Sequence, residues 1–369
     1  MFRRYRQFEA LAEREVNEAK RAEAEARRQA ALERLEPLDL SRTTWPEYPP
    51  PAIVNAITFA ARRGLHRYLD RHASELRAEI AALHGVAPER LVVGDGAAQL
   101  LSAAAQVLIE PGDELVTPWP SYGLYPLMAR RARGRVVPVP GFTAEALLSA
   151  VTPRTRVVAL CSPNDPTGEL LGVEELRGLL AALPERTVVL LDEALRTYVD
   201  REPPDAALEL LDAHPRLLVV RTFSKAWGLA GLRVGYAVGG EGAEPVLERL
   251  EPELGLSELA QAGALEALRG TPDLAAARGR RIAAERAELR DALRALEGLD
   301  VPPSQANVLW LAAAGVSGAE LAARLGRQGI AVAAGGPLGD PGRVRVTVPH
   351  RPEHRERLVR ALAVAVAAD

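Results

Sequence analysis

The chain has 369 residues, enough for two domains, and its apolar (48%) and charged (26%) fractions are typical of a globular enzyme. A net charge of −3 gives no general attraction to nucleic acid or anionic membranes, and no apolar run is long enough to cross a bilayer. The single cysteine, Cys161, excludes an internal disulfide and predicts a reducing, cytoplasmic location. The histidines and the cysteine lack metal-ligand spacing, so we expect no metal site.

The N-terminal segment, residues 1–36, is predicted to be one charged helix rich in Ala, Glu and Arg. Its short apolar stripe recurs every three positions: Phe2, Tyr5, Phe8 and Leu11. The remainder is nearly all charge and Ala, which favours a solvated or partner-docked helix over a catalytic segment. The Pro-rich stretch 45–51 predicts an extended chain, so residues 37–65 are interpreted as a connector and the start of a smaller domain.

Between residues 66 and 245 the pattern alternates between strands and helices. Seven apolar runs bounded by turn residues predict buried strands: Leu91–Gly94, Glu114–Thr117, Arg135–Val139, Arg156–Cys161, Thr187–Leu191, Leu217–Arg221 and Arg233–Val238. Three helical stretches lie between them: Ala97–Ile109, Val173–Leu183 and a segment near Ala206–Asp212. This alternation predicts an α/β large domain, with a mostly parallel seven-stranded sheet and helices on both faces.

After residue 245 the alternation stops. The pattern predicts one long helix from about residue 258 to 297, then two strands that flank a short helix, then a closing helix from about residue 352. The strands are Asn307–Leu311 and Arg343–Val348, and the helix between them is Gly318–Gln328. Residues 246–369 are therefore predicted to be a small α+β domain.

Lys225 is conspicuous because the chain has only two lysines, Lys20 and Lys225, among its 46 basic residues. A guanidinium keeps its proton at any working pH, whereas an amine can lose one and attack a carbonyl carbon to form an imine. A lysine retained among so many arginines therefore indicates amine chemistry.

Chemically distinctive residues follow several of the predicted strands. In open α/β sheets, ligands bind beyond the carboxyl ends of the strands, so these residues are predicted to share one site. They are Gly94–Ala98, Tyr122, Asn164, Asp192 and Lys225.

The order and contexts of these residues, from about residue 38 to the end, resemble the class I and II aminotransferases of the pyridoxal-phosphate fold type I superfamily. Within it they are most similar to the histidinol-phosphate aminotransferase-like branch. The resemblance implies that Lys225 holds pyridoxal 5′-phosphate as a Schiff base and moves the substrate proton. It implies that Asp192 pairs with the pyridine nitrogen and that Tyr122 stacks on the ring.

The same resemblance implies the other cofactor contacts. Asn164 is expected to bond the ring 3-oxygen. The phosphate is expected to lie against a helix N-terminus, two hydroxyls and a guanidinium, supplied by Gly96, Ala97, Ala98, Thr222, Ser224 and Arg233. Tyr68 matches a tyrosine that reaches the phosphate of the partner subunit, which implies a homodimer.

For the substrates, the resemblance implies an amino donor and a 2-oxo acid acceptor. Arg345 is expected to bind the substrate carboxylate, although Arg343 shares its strand face. Asn307 matches a position near the substrate, and a structural role is equally open for it.

Two departures bear on the reaction. Leu195 stands where the family usually has a tyrosine that bonds the 3-oxygen, a loss on the order of 1 kcal/mol. Decarboxylation of an α-amino acid therefore remains an alternative to transamination. The acidic stretch Glu251–Leu254 and the segment Leu40–Trp45, which lacks the family's Asn-rich pattern, argue against histidinol phosphate as the substrate.

A third alternative is a cofactor-binding regulator without catalytic activity. Residues 1–36 are too short for a helix-turn-helix domain with a basic face, so this alternative is the least favoured.

Overall fold

The computed structural model of the chain describes Glu18 and residues 36–367. The predicted N-terminal helix, residues 1–36, lies outside the described residues except at its last position and at Glu18.

The strands form one large sheet and two small ones. In chain order they are β1 (Leu38–Asp39), β2 (Leu91–Gly94), β3 (Glu114–Trp119), β4 (Arg135–Pro140), β5 (Thr155–Cys161), β6 (Val188–Asp192), β7 (Leu217–Thr222), β8 (Gly235–Gly239), β9 (Leu299–Asp300), β10 (Val308–Ala313), β11 (Ile330–Ala331), β12 (Ala333–Ala334) and β13 (Arg343–Thr347). The large sheet has seven strands in the order β2-β8-β7-β6-β5-β3-β4, and β8 runs antiparallel to both of its neighbours. The predicted α/β fold, with a mostly parallel seven-stranded sheet, is confirmed.

The helices cover both faces of the large sheet and one side of the smaller domain. They are α1 (Pro51–Gly64), α2 (Ser74–His84), α3 (Ala97–Leu108), α4 (Leu124–Arg131), α5 (Ala144–Ser149), α6 (Val173–Ala182), α7 (Glu244–Leu250), α8 (Glu258–Gly270), α9 (Leu274–Arg294), α10 (Gly318–Gly326) and α11 (Pro352–Ala367). Among the described residues, none of these helices is both long and apolar enough to span a membrane.

The central strand β6 shows why the apolar runs fold as buried strands. All five of its residues are buried. Because side chains alternate along a strand, Val189 and Leu191 pack into the core on one face, while Val188 and Leu190 pack into the core on the other. Each such side chain contributes about 1.5–3 kcal/mol when fully buried, so a continuous apolar run is stable only between two helical layers.

The predicted long helix over residues 258–297 is wrong, because two helices occupy that stretch. Helix α8 ends at Gly270, and Thr271 leaves the helical region with φ −141° and ψ 53°. Pro272 disfavours a helical conformation at the residue before it and has no N–H to donate, so the chain restarts as α9 at Leu274. The helix predicted near 206–212 is reduced to a 3-10 turn at Leu208–Leu210.

The connector contains a helix that begins where the proline run ends. Pro51 occupies the first position of α1, which suits a residue with fixed φ and no N–H. Ile53 of α1 packs with Ala260 and Ala264 of α8 into the core beside the large sheet. Residues before and after the predicted large domain, 66–245, therefore pack into the core of its sheet. The division of the chain at residue 245 stays a prediction.

The C-terminal part has its own four-stranded sheet, in the order β12-β13-β10-β9 with antiparallel pairing. Its core joins residues of β13, α9, α10 and α11: Val344, Leu289, Leu321 and Leu358. Strand β1 pairs in parallel with β11, which fastens the chain at Leu38–Asp39 to this domain.

Candidate active site

A cavity of about 370 Å³ lies at the carboxyl ends of the large-sheet strands. We call it the strand-end cavity. Its lining combines residues from the large sheet with residues 41–44 and one side chain of β13. Nine of the residues predicted for the site line it: Ala97, Ala98, Tyr122, Asp192, Thr222, Ser224, Lys225, Arg233 and Arg345.

Lys225 follows β7 in a tight turn, in which the Gly228 N–H donates to the Lys225 carbonyl at 2.8 Å. Its Nζ donates to Oγ1 of Thr43, from the segment that crosses the cavity. Burial lowers the pKa of this amine, and the nearby carboxylate of Asp165 partly offsets that effect. The lysine is therefore held in a setting that favours the neutral, nucleophilic amine.

Asp192 ends β6 with its carboxylate fully buried. Oδ1 accepts the Ala194 N–H and Oδ2 accepts the Tyr125 hydroxyl, both at 3.0 Å. Burial raises the pKa of Asp192 to about 6, although both hydrogen bonds act in the opposite direction. A buried carboxylate of this kind is stabilised by a positively charged partner.

A charged network lies on the other face of the strand ends from the site, because successive side chains point to opposite faces of the sheet. Glu193 Oε2 accepts two hydrogen bonds from Arg221, at 2.9 and 2.7 Å. Arg221 also donates to Asp205 at 2.5 Å. Glu193 immediately follows Asp192, and Arg221 immediately precedes Thr222. The ion pair between them therefore joins the ends of β6 and β7.

An anion-binding cradle lies where α3 begins. Gly96 has φ +82°, and a Cβ on it would lie 2.3 Å from Arg233 Nη2. A Cβ on Gly235 of β8 would lie 2.4 Å from the backbone nitrogen of Ala97. Only glycines allow the guanidinium and β8 to approach the helix N-terminus this closely. Backbone N–H groups, a helix dipole and a guanidinium thereby converge on one spot.

Two hydroxyls complete the cradle. Arg233 Nη1 donates to Ser224 Oγ at 3.1 Å. The Ser224 N–H donates to Thr222 Oγ1 at 3.1 Å. Arg233 itself has φ +56°, so the strand predicted to begin there begins instead at Gly235.

Arg345 and Arg343 lie on the same strand but make different contacts. Arg345 Nη1 donates to Asp165 Oδ1 at 2.7 Å and Nη2 donates to the Ser41 carbonyl at 2.8 Å. Its Nε is buried without a hydrogen-bond partner among the described residues. Arg343 lies outside the cavity and donates to Asp300 at 2.6 Å. Of the two arginines on β13, Arg345 is therefore the one that lines the cavity, and its guanidinium has donor capacity left for an anion.

Asn164 is not brought into the cavity, which corrects its predicted place in the site. Its Nδ2 donates to the Pro120 carbonyl and to Thr167 Oγ1, both at 2.9 Å, and its Oδ1 accepts from Ser121 at 2.6 Å. These bonds occupy the amide within the turn. The following residue, Asp165, lines the cavity instead.

The remaining predicted residues divide between the cavity and its surroundings. Tyr122 is 39% exposed and meets Tyr125 edge-on, with ring centroids 5.7 Å apart. Tyr68 is fully exposed and does not line the cavity. Asn307 is buried, donates from Nδ2 to the Thr43 carbonyl at 3.1 Å, and lines a neighbouring cavity of about 620 Å³.

Leu195 lines the strand-end cavity and is fully buried. Tyr198 lines the neighbouring cavity, so its hydroxyl does not replace the missing tyrosine. Sequence reasoning missed Asp165 and Tyr125 as parts of the site, and it used the segment Leu40–Trp45 only as an argument about the substrate. Asp165 carried a signal, since it stands in the same turn motif as Asn164.

Comparison with known proteins identifies the family. The family model described as aminotransferase class I and II matches residues 36–362. The chain belongs to the class I and II aminotransferases. An aromatic amino acid aminotransferase of Corynebacterium efficiens is 37% identical over 321 residues, which cover 85% of this chain and 89% of the relative.

Solved aminotransferase structures share the fold. The histidinol-phosphate aminotransferase of Sinorhizobium meliloti, solved with pyridoxal-5′-phosphate, has a TM-score of 0.79 and 26% identity, and the match covers 92% of this chain and 93% of that one. A double mutant of the Thermus thermophilus aspartate aminotransferase has a TM-score of 0.78 and 26% identity, with coverage of 93% and 95%. The fold is therefore that of the fold type I aminotransferases.

The residues of the strand-end cavity fit pyridoxal phosphate, the cofactor of this aminotransferase. The cradle that a Cβ on Gly96 would fill suits a phosphate, and the buried carboxylate of Asp192 suits a protonated pyridine nitrogen. The comparisons give no support to the decarboxylase alternative. Within the described part of the chain, no group of three or more His, Cys, Asp or Glu side chains is placed to hold a metal ion.

Proposed function

We propose that this aminotransferase moves the amino group of an aromatic amino acid to a 2-oxo acid. The observation that carries the proposal is that Lys225 and Arg345 line one cavity, where Nη1 and Nη2 of the guanidinium each make one hydrogen bond and each keep a second N–H for a carboxylate. The aromatic side chain is inferred from the curated relative, which is named an aromatic amino acid aminotransferase.

Each residue of the cavity has a distinct task in this reaction. When bound, pyridoxal phosphate supplies an electron sink for the pair left when the substrate Cα–H bond breaks. Lys225 would take the proton from Cα and deliver it to the carbon on the other side of the substrate nitrogen, which requires the neutral amine favoured by its burial. With the cofactor bound, the Asp192 carboxylate would hold a proton on the ring nitrogen, and Tyr122 would pack against the ring.

Arg345 orients the substrate through its carboxylate. Its guanidinium is preset by Asp165 and the Ser41 carbonyl, so the incoming carboxylate meets donors that are already fixed in direction. Fixing the substrate in this way directs the Cα–H bond toward Lys225. Lys225 is partly buried, which reduces access of water to the basic amine.

The cofactor phosphate would be held by Gly96, Ala97, Ala98, Thr222, Ser224 and Arg233. We assign Tyr68 to the phosphate of a second copy of this chain, which makes the enzyme a homodimer. The complete exposure of Tyr68, away from its own cavity, supports this assignment. A cytoplasmic location is consistent with the one cysteine, Cys161, which is free and buried.

Histidinol phosphate is not the proposed substrate. Glu251 lies 2.9 Å from His72, and Gly255 of the same loop packs on Arg71. The acidic stretch therefore lies beside the segment that carries Tyr68, where a homodimer would place it near the partner's entrance. Carboxylates at that place would repel a second phosphate.

The test is a spectrum of the purified enzyme with cofactor, recorded as single amino acids are added. Phenylalanine, tyrosine and tryptophan are expected to convert the cofactor to its amine form with release of one 2-oxo acid per cofactor. Histidinol phosphate is expected to react at least tenfold more slowly. Carbon dioxide release without an oxo acid, or preferred turnover of histidinol phosphate, contradicts the proposal.

A further inference from the structure

Residues 38–45, which we call the strap, cross the strand-end cavity and are fixed to the small domain. Leu38 and Leu40 are buried in the core of that domain. The Thr347 N–H donates to the Leu40 carbonyl at 2.9 Å, and its hydroxyl donates to the Arg42 carbonyl at 2.8 Å. These bonds act on the strap backbone and hold it along β13.

Two further bonds fix the part of the strap that lies over the cavity. Arg345 Nη2 donates to the Ser41 carbonyl at 2.8 Å, and Asn307 Nδ2 donates to the Thr43 carbonyl at 3.1 Å. Since the backbone around Thr43 is held from both sides, its side chain has a defined direction. That direction is into the cavity, where Oγ1 accepts a hydrogen from Lys225 Nζ.

We propose that Thr43 is a positioning residue for the catalytic amine of Lys225. Its hydroxyl accepts one N–H of the amine during the part of the cycle in which the amine is free, and so directs the nitrogen lone pair toward the substrate. This inference rests on the proposed transamination, because only there does the freed amine have to take up a proton.

The geometry suits this role. A neutral amine has hydrogens to donate and one lone pair, and a hydroxyl that accepts a hydrogen leaves the lone pair available. When the Cα–H bond breaks, its proton forms a new N–H bond at Nζ, and the same nitrogen later releases a proton to the carbon on the other side of the substrate nitrogen. A contact that fixes Nζ limits the orientations that the amine must search before each transfer.

The electrostatic surroundings of Nζ do not provide such direction. The groups that face it include the carboxylates of Asp165 and Asp192, the Arg345 guanidinium and the Cys161 thiol. These charges act over several ångströms and alter how readily the amine binds a proton, whereas Thr43 makes a direct contact. Thr43 is only 7% exposed, so little water competes for its hydroxyl.

The kinetic test compares Thr43→Val, which keeps the shape and removes the hydroxyl, with Thr43→Ser, which keeps the hydroxyl. Thr43→Val is expected to lower kcat about tenfold and to change KM for an aromatic amino acid less than twofold. The isotope effect with α-deuterated substrate is expected to rise, because proton transfer becomes more rate-limiting. Thr43→Ser is expected to remain within about twofold of the wild type.

A second readout does not depend on activity. In apoprotein labelled with ¹³C at the lysine ε-carbon, only Lys20 and Lys225 give lysine signals, and Lys225→Arg assigns them. Thr43→Val is expected to move the pH titration of Lys225 to lower pH, because the charged form loses an acceptor. The Lys20 titration serves as the reference within the same molecule.

The matched control is Thr58→Val, which removes an exposed hydroxyl on α1 that donates to the Val54 carbonyl. It is expected to leave both lysine titrations and the isotope effect unchanged. An unchanged Lys225 titration together with an unchanged isotope effect in Thr43→Val overturns the proposal. A wild-type enzyme that transaminates no aromatic amino acid defeats the proposed function, while the titration still decides whether Thr43 contacts the amine.

Discussion

The wall of the strand-end cavity that the large sheet supplies differs from the wall that the strap and β13 supply. On the sheet side, Asp192 ends a strand and Lys225 follows one, so each is placed by the strand beside it. On the other side, contacts join distant parts of the chain: Lys225 and Thr43 are 182 residues apart, and Arg345 and Asp165 are 180 apart.

This difference suggests a division of tasks. The sheet wall is fixed by a buried core and a charged network, and in our proposal it holds the cofactor. The opposite wall is anchored in the small-domain core through Leu38, Leu40 and Val344, but the part that reaches the cavity is held by single hydrogen bonds, each worth about 1 kcal/mol. In our proposal that part contacts the substrate and the freed amine. We therefore expect substitutions in the sheet wall to have larger effects than substitutions in the strap.

The largest effect is expected for Lys225→Ala. Removing the amine that takes up the Cα proton is predicted to lower kcat by a factor on the order of 10³ or more. The visible absorbance of the lysine-bound cofactor is predicted to disappear as well. The measurement is the rate of 2-oxo acid formation by Lys225→Ala. Lys20→Ala is the control, because it is expected to behave like the wild type. A tenth of the activity remaining in Lys225→Ala contradicts the assignment.

Asp192→Asn tests the buried charge of the sheet wall. Burial raises the folded-state pKa of Asp192 from 3.8 to about 6, so the charged form is disfavoured in the folded apoprotein. The resulting stability is complete below about pH 3.8 and is lost as the pH rises through about 6. The Tyr125 hydroxyl can either donate or accept, so an asparagine can keep both hydrogen bonds.

The apoprotein of Asp192→Asn is therefore predicted to be more stable than the wild type at about pH 8, by as much as about 3 kcal/mol, with no difference near pH 4. Urea unfolding at the two pH values measures this. Its affinity for pyridoxal phosphate is predicted to fall, because the ring nitrogen loses its charged partner. A less stable apoprotein at pH 8 would show that the carboxylate is not destabilised by burial.

Arg345→Lys tests the carboxylate contact on the opposite wall. A lysine keeps the charge and loses the planar fork, so KM for the amino acid is predicted to rise about tenfold, with a smaller change in kcat. Arg343→Lys is the matched control, since Arg343 lies on the same strand but pairs with Asp300. Steady-state kinetics of both variants measure this. Equal KM values for the two variants would show that Arg345 does not bind the substrate.

The smallest effect is expected for Asn307→Ala, which removes one support of the strap. Loss of the bond to the Thr43 carbonyl is predicted to lower kcat about fivefold, equivalent to about 1 kcal/mol, with cofactor affinity unchanged. Asn55→Ala, at an exposed position on α1, is the control. A large loss of cofactor affinity in Asn307→Ala would mean that the two walls are not separate in function.

The sheet and the sheet wall were predictable because their signals are local. Apolar runs indicate buried strands, and ligands bind at strand ends, so the pattern predicted that Lys225 and Asp192 share one site. Arg233 was predicted from the family resemblance. The error at Asn164 and Asp165 arose inside a turn, where the alternation of a strand gives no guide to which neighbour faces the cavity. The strap could not be predicted, because Thr43 reaches Lys225 only once β13 and β1 have docked.

Gly235 couples the position of β8 to the position of the α3 N-terminus, so neither can change without the other. It is a residue of β8 and a neighbour of the backbone at the start of α3, where an added Cβ would lie 2.4 Å from the Ala97 nitrogen. Any other residue there has to push the helix end away from the sheet, and the shift would be transmitted to the phosphate cradle. We expect lineages that diverge in substrate to vary at the strap and to keep this glycine.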